Sequence, residues 1–192
     1  DVIIYAGSLV NPELLEYAKP GCEIHNSALM TLDEVISVMS AAESAGKRIV
    51  RLHTGDPSLY GAIREQMSRL DGLGISYAVC PGVSSFCGAA AALRAEYTLP
   101  AVSQTVIITR MAGRTPVPER ESIESLAEHG STMVIFLSTG MLEELSARLI
   151  NGGYSTDTPA AIVYKASWQD EKVCRCTVGT LAETASKNDI RK

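Results

Sequence analysis

Apolar residues in the first half of the chain alternate between short β-rich runs and stretches with helical spacing. Three runs rich in Val, Ile and Tyr have the composition of strands: 1–5, 48–52 and 75–79. Four apolar residues recur at helical spacing between the first two runs: Val35, Ile36, Met39 and Ala42. They follow a capping-box sequence, Thr31 to Glu34, and further helices are predicted at about 58–70 and 85–95. This alternation predicts right-handed crossovers and a mostly parallel sheet.

The pattern resets near Leu99, Pro100 and Ala101, where we expect a linker. Beyond it, strands are predicted at 105–109, 132–137 and 160–165, with helices at about 121–128 and 141–150 between them. The polar segment 166–171 is too short for a helical crossover, which predicts a hairpin and an antiparallel strand at 172–177. The expected fold is therefore α/β in two small domains. They are a mostly parallel N-terminal domain, 1–101, and a C-terminal domain with a mixed sheet, 102–192.

Composition supports this class and excludes others. The 192 residues are 46% apolar but only 5% aromatic, which suits sheets covered by small-faced helices. With 17 Lys and Arg against 22 Asp and Glu, the net charge of −5 offers no broad positive field for nucleic acid. No apolar run reaches the roughly 18 to 20 residues of a membrane span, and no leader is evident, so a cytoplasmic protein without membrane contact is expected. The three histidines have no metal-ligand spacing, so no metal site is predicted.

Two loops carry candidate chemistry at the carboxyl ends of predicted neighbouring strands. One runs from His53 to Pro57, where Gly55 would let a ligand approach the backbone and Asp56 can hold a cationic amine or ribose hydroxyls. Asp56 can equally be no more than the N-cap of the following helix. The other loop runs from Cys80 to Ser85, and ordinary turn chemistry explains it unaided. Side by side at one sheet edge, however, the loops would outline a pocket.

These two loops resemble those of the tetrapyrrole methylases, and the resemblance covers essentially the whole chain. It sharpens at Gln104–Arg110 and at Gly113–Glu119, which is similar to the segment of the members that methylate C11 of precorrin-4. The resemblance implies an S-adenosylmethionine-dependent C-methyltransferase of cobalamin biosynthesis, acting on precorrin-4 or cobalt-precorrin-4. It also implies a cofactor cleft between the two domains and a homodimer.

By the same resemblance, eight residues are expected to contact the cofactor: Thr54, Gly55, Asp56, Leu59, Ser84, Ser85, Leu137 and Ala166. Ordinary packing at strand ends would explain the last two as well. The implied substrate is a macrocycle rich in acetate and propionate groups, for which Arg110 and Arg114 are the expected donors unless they are merely solvated loop residues. No catalytic base is predicted, because methyl transfer depends mainly on positioning and exclusion of water.

The chain departs from the family at both ends. Family members begin with another strand and a Gly-rich loop, and they continue past residue 192, so we expect the N-terminal strand and loop and the C-terminal end to be missing here. Two alternatives stay open. One is a sibling enzyme that methylates another tetrapyrrole carbon or a ribosomal-RNA nucleotide, although the acidic charge counts against RNA. The other is a truncated fragment without catalysis.

Overall fold

The computed structural model describes residues 1–113 and 115–190, which form two units. The first unit spans Asp1–Ser85, and the second begins at Phe86. The domain boundary predicted at residue 101 stays a prediction.

The first unit is a three-stranded parallel sheet with the order β2-β1-β3. Its strands and its two complete helices are β1 (Val2–Tyr5), β2 (Glu23–Asn26), α1 (Leu32–Ser44), β3 (Ile49–Leu52) and α2 (Ile63–Gly72). Short 3-10 helices lie at Gly7–Leu9, Pro12–Tyr17 and Ser27–Leu29. Because all three strands run the same way, the loops that leave β1, β2 and β3 lie at one edge of the sheet.

The predicted capping box of α1 is confirmed. Glu34 accepts the backbone N–H of Thr31 at 2.6 Å, and the Thr31 hydroxyl accepts the backbone N–H of Glu34 at 3.3 Å. The apolar face of α1 then packs on the sheet. Together the two elements bury Val2, Ile4, Val35, Ile36, Met39 and Ala42. The periodicity in the sequence therefore identified the core of this unit.

The second unit contains two separate ladders. Strands β4 (Val106–Arg110) and β5 (Thr132–Phe136) pair in parallel, and β6 (Pro159–Tyr164) and β7 (Lys172–Thr177) form the predicted antiparallel hairpin. The helices are α3 (Ser85–Leu93), which starts at the last residue of the first unit, α4 (Ile123–Ala127), α5 (Leu142–Asn151) and α6 (Leu181–Lys187). We expected one mixed sheet, but no ladder joins the parallel pair to the hairpin among the described residues.

Two predicted elements differ from the structure. The helix expected from about residue 58 starts at Ile63, because Tyr60 and Ala62 adopt left-handed φ angles of 57° and 51° that a helix cannot contain. No strand forms at 75–79. That segment has strand composition, but within the described part of the chain it has no ladder partner, and Tyr77 and Val79 remain exposed. Strand propensity without a neighbouring strand does not produce a strand.

The predicted α/β class is confirmed, while the expected cleft between the domains stays a prediction. None of the helices in the described ranges combines the length and the apolar character that a membrane crossing requires.

Candidate functional site

Asp56 joins the loop after β3 to the loop that precedes α3. Its Oδ2 accepts the backbone N–H of Gly82 at 2.9 Å, and its Oδ1 accepts the backbone N–H of Ser58 at 2.8 Å together with the Ser58 hydroxyl. The Ser58 hydroxyl, then the Gly82 and Ser58 N–H groups, lower the pKa of Asp56. Asp56 is therefore ionised, and its carboxylate links the two loops in addition to closing the turn at Ser58.

Glycine is required where these loops meet. A Cβ on Gly82 would lie 2.0 Å from the carbonyl oxygen of Gly55, so the backbones are already in contact. Gly55 has a left-handed φ of 57°, and a Cβ there would lie 3.3 Å from the Cα of Ser84. The two loops can approach each other this closely only because both residues are glycine.

Six of the eight expected cofactor contacts therefore lie in one region of the first unit. Gly55 and Asp56 meet the second loop directly, and the backbone N–H of Leu59 donates to Asp56 O at 3.2 Å in the same turn. Ser84 is buried, whereas Thr54 and Ser85 present exposed hydroxyls. The structure supports the predicted pairing of the loops, and contact with a cofactor remains a prediction.

Arg51, which the sequence reasoning missed, holds the strand ends beneath these loops. Its guanidinium donates to the carbonyl oxygens of Ile4 and Leu52 at 3.0 and 3.5 Å and to Ser27 Oγ at 3.0 Å. It also donates to Gln66 Oε1 at 3.0 Å. Burial lowers the pKa of this arginine. A charged residue inside an otherwise apolar strand was the signal in the sequence that could have revealed it.

His53 directly follows β3, two residues after Arg51, and its neutral form is favoured. Burial first, and then the charge of Arg51, lower the pKa of His53. Its Nε2 is buried and has no hydrogen-bond partner among the described residues. The edge of the sheet below the two loops therefore carries its positive charge on Arg51.

The expected contacts in the second unit lie at or beside residues with a left-handed backbone. Leu137, directly after β5, has a φ of 54° and is 59% exposed, although it is a large apolar residue. Ala166, after β6, lies between Lys165 and Ser167, whose φ angles are 50° and 72°. Left-handed conformations of such residues cost on the order of 1–3 kcal/mol and cluster at functional sites. Contact of Leu137 and Ala166 with a cofactor remains a prediction.

Arg110 is engaged by its own loop. Its guanidinium donates to the carbonyl oxygens of Met111, Thr115 and Pro116 at 3.0 to 3.1 Å. In the adjacent strand end, Ser138 Oγ accepts the Met111 N–H at 3.0 Å, so the ends of β4 and β5 are tied together. Arg110 thus shapes the loop in which substrate contacts were predicted. Arg114, the other predicted donor, lies outside the described residues.

Comparison with known proteins places these loops in a family. The family model of the Tetrapyrrole (Corrin/Porphyrin) Methylases matches residues 1–182. The chain belongs to the tetrapyrrole methylase family. The family predicted from the two loop sequences is therefore confirmed, and so is the fold.

Similar proteins narrow the position of this methylase within the family. It is 57% identical over 192 residues to the cobalt-precorrin-4 C(11)-methyltransferase of Methanocaldococcus jannaschii, covering 100% of this chain and 74% of that protein. The crystal structure of a cobalt precorrin-4 methyltransferase superimposes with a TM-score of 0.96 at 47% identity, covering 100% of this chain and 80% of that one.

A more distant structure has the same fold. It is a uroporphyrin-III C-methyl transferase from Thermus thermophilus in complex with S-adenosylhomocysteine. It matches with a TM-score of 0.74 at 20% identity, covering 95% of this methylase and 78% of that chain.

Proposed function

We propose that this methylase transfers a methyl group from S-adenosylmethionine to C11 of precorrin-4 or cobalt-precorrin-4 in cobalamin biosynthesis. The observation that carries the proposal is the TM-score of 0.96 to a cobalt precorrin-4 methyltransferase over the full chain. The 57% identity to the methanogen enzyme acting at C11 supports the same position on the ring. A sibling activity at another ring carbon is disfavoured, because a uroporphyrinogen-III C-methyltransferase of Bacillus subtilis is only 29% identical, against 57% for the methanogen enzyme.

The paired loops of the first unit suit the cofactor. Asp56 Oδ2 accepts one hydrogen bond, from Gly82, and so retains a free acceptor position for an amine or a ribose hydroxyl. Thr54 and Ser85 add exposed hydroxyls, and the glycine contact holds the two loops close together. We assign Leu59, Ser84, Leu137 and Ala166 to the same cofactor as apolar or backbone contacts. When bound, the cofactor supplies an electrophilic sulfonium methyl group.

The remaining task of the protein is to position the ring and keep water out. Arg110 holds Met111, Thr115 and Pro116 through their carbonyl oxygens, which sets where these residues can meet the carboxylates of a tetrapyrrole. We assign Arg110 to the substrate on this basis, and we assign Arg114 as a second donor only because it follows in the same stretch of the sequence. No side chain is assigned as a general base.

The wider setting follows from the same assignment. We infer a cytoplasmic homodimer made of two α/β domains, 1–101 and 102–192, with the cofactor held between them. Its ligands are small molecules, and the acidic net charge of −5 disfavours nucleic acid.

The test is an assay of methyl transfer with a panel of tetrapyrroles. Precorrin-4, cobalt-precorrin-4 and uroporphyrinogen III are each incubated with the protein and S-adenosylmethionine, and the products are analysed by mass spectrometry. One added methyl group is expected on precorrin-4 or its cobalt form and none on uroporphyrinogen III. Methylation of uroporphyrinogen III alone would point to the sibling activity, and no methylation of any of the three would point to a fragment without catalysis.

A further inference from the structure

A cationic side chain stands on an aromatic platform at the end of β6. The Nζ atom of Lys165 lies 4.9 Å from the ring centroid of Trp168 and 5.4 Å from that of Tyr164. It also lies 2.6 Å from Oδ2 of Asp170. The site residues assigned above include none of these four side chains, which we call the Lys165 cluster.

The backbone of the cluster is held in a fixed shape. Lys165 and Ser167 both adopt left-handed φ angles, 50° and 72°. The N–H of Trp168 donates to the carbonyl oxygen of Lys165 at 2.9 Å, and the N–H of Ser167 donates to Glu171 Oε2 at 2.7 Å. Such strain persists only where the surrounding structure determines it. The ammonium group is therefore presented from a rigid turn, which lowers the entropy cost of binding a ligand there.

The internal partner of Lys165 can be exchanged. The side chain of Asp170 is 58% exposed and that of Lys165 is 32% exposed, so their ion pair lies at the surface. Ion pairs of this kind contribute little to stability. The pKa of Lys165 is raised, chiefly because its ammonium group donates a hydrogen bond to Asp170, so the group stays charged. A carboxylate from a ligand can take the place of Asp170 at small cost.

The position of the cluster points to the substrate. Lys165 directly precedes Ala166, the expected cofactor contact after β6, so the cation belongs to the same strand end. An ammonium group over aromatic rings offers a tetrapyrrole two matched surfaces, one for a carboxylate and one for the flat ring system. We propose that Lys165, supported by Trp168 and Tyr164, binds a carboxylate of the tetrapyrrole in exchange for Asp170. This inference rests on the proposed function, because it takes its ligand from that assignment.

Trp168 supplies the probe for a test, because it is the only tryptophan in the sequence. Uroporphyrin, a stable tetrapyrrole with acetate and propionate groups, is titrated into the full chain, and the quenching of tryptophan emission gives Kd. Lys165→Met is expected to weaken binding by about tenfold or more, whereas Lys165→Arg keeps most of the affinity. Affinity for S-adenosylhomocysteine, measured by calorimetry, should remain unchanged in both variants.

Asp170→Asn is the matched control. If Lys165 binds the ligand in exchange for Asp170, this variant should bind uroporphyrin more tightly than the wild type. If the pair only closes the hairpin, Asp170→Asn and Lys165→Met should lower Tm alike and leave Kd unchanged, which would overturn the proposal. Absence of quenching with the wild type would overturn it too.

The two proposals fail separately. Wild-type methyl transfer together with an unaltered Kd in Lys165→Met would reject only the role of Lys165. Binding that depends on Lys165, without any methyl transfer, would reject only the proposed activity.

Discussion

Replacing Gly82 by alanine should separate the two loops of the first unit. The added Cβ would lie 2.0 Å from Gly55 O, and real Cβ atoms essentially never approach closer than 3.0 Å. The obstacle is backbone rather than a flexible side chain, so the loops must move apart by about 1 Å. That displacement also stretches the 2.9 Å hydrogen bond from the Gly82 N–H to Asp56.

The expected loss is larger for binding and turnover than for stability. Among the residues of the two loops only Ser84 is buried, so the loops can shift with little effect on the core, and the free energy of unfolding should fall by only about 1 kcal/mol, the low end for overpacking. A misplacement of about 1 Å can cost about a hundredfold in rate. Calorimetry with S-adenosylhomocysteine should show affinity weakened on the order of tenfold, and turnover of the tetrapyrrole should fall further.

Gly72→Ala is the matched control in the same unit. Gly72 is the last residue of α2, and a Cβ there would meet nothing within 4 Å. This variant should bind S-adenosylhomocysteine as the wild type does, with an unchanged or slightly higher Tm. If Gly82→Ala also binds with wild-type affinity, the contact between the loops has no part in the cofactor site, and the assignment of Asp56 loses its main support.

Three further predictions concern the hydrogen bonds around the strand ends. Asp56→Asn should weaken S-adenosylhomocysteine binding roughly tenfold by calorimetry. In the wild type, Asp56 should contribute its full stabilisation above its ordinary pKa of 3.8 and lose it as pH falls through the lowered pKa. Asp56→Asn should remove this loss of stability in acid. Arg110→Ala should raise the tetrapyrrole KM in steady-state kinetics and leave S-adenosylhomocysteine affinity unchanged; loss of both would indicate a folding role. Ser138→Ala should cost about 1–3 kcal/mol in urea denaturation, because it leaves the Met111 N–H without its acceptor, while the exposed Ser186→Ala should stay within about 0.5 kcal/mol.

Local signals in the sequence predicted the parts of the fold that depend on local physics. The capping box at Thr31 and the helical spacing after it fixed α1 and its buried face, and the short polar segment after residue 165 fixed the hairpin of β6 and β7. The segment at 75–79 failed because a strand is a property of a pair, and composition does not reveal whether a partner is present. The late start of α2 failed because left-handed φ angles at Tyr60 and Ala62, neither a glycine, leave no mark in the sequence.

The candidate site, like the fold, could be predicted from the sequence only in part. Glycine and proline punctuation placed both loops, and they meet at Gly55 and Gly82 as predicted, although the strand at 75–79 from which we inferred the meeting does not form. The sequence did not reveal that the Asp56 carboxylate joins the loops or that Arg51 holds the strand ends, since both roles are made by hydrogen bonds between distant positions. Arg110 was assigned to the substrate from its charge, and its three carbonyl partners add a role in shaping the loop.

The position of the transferred methyl group tests the central claim most directly. The protein is incubated with cobalt-precorrin-4, or precorrin-4, and S-adenosylmethionine labelled with carbon-13 in its methyl group, and the product is examined by NMR. The account predicts a single labelled methyl group bonded to C11 of the ring. A label at any other ring carbon, or an unlabelled tetrapyrrole under conditions in which the protein binds S-adenosylhomocysteine, would contradict it.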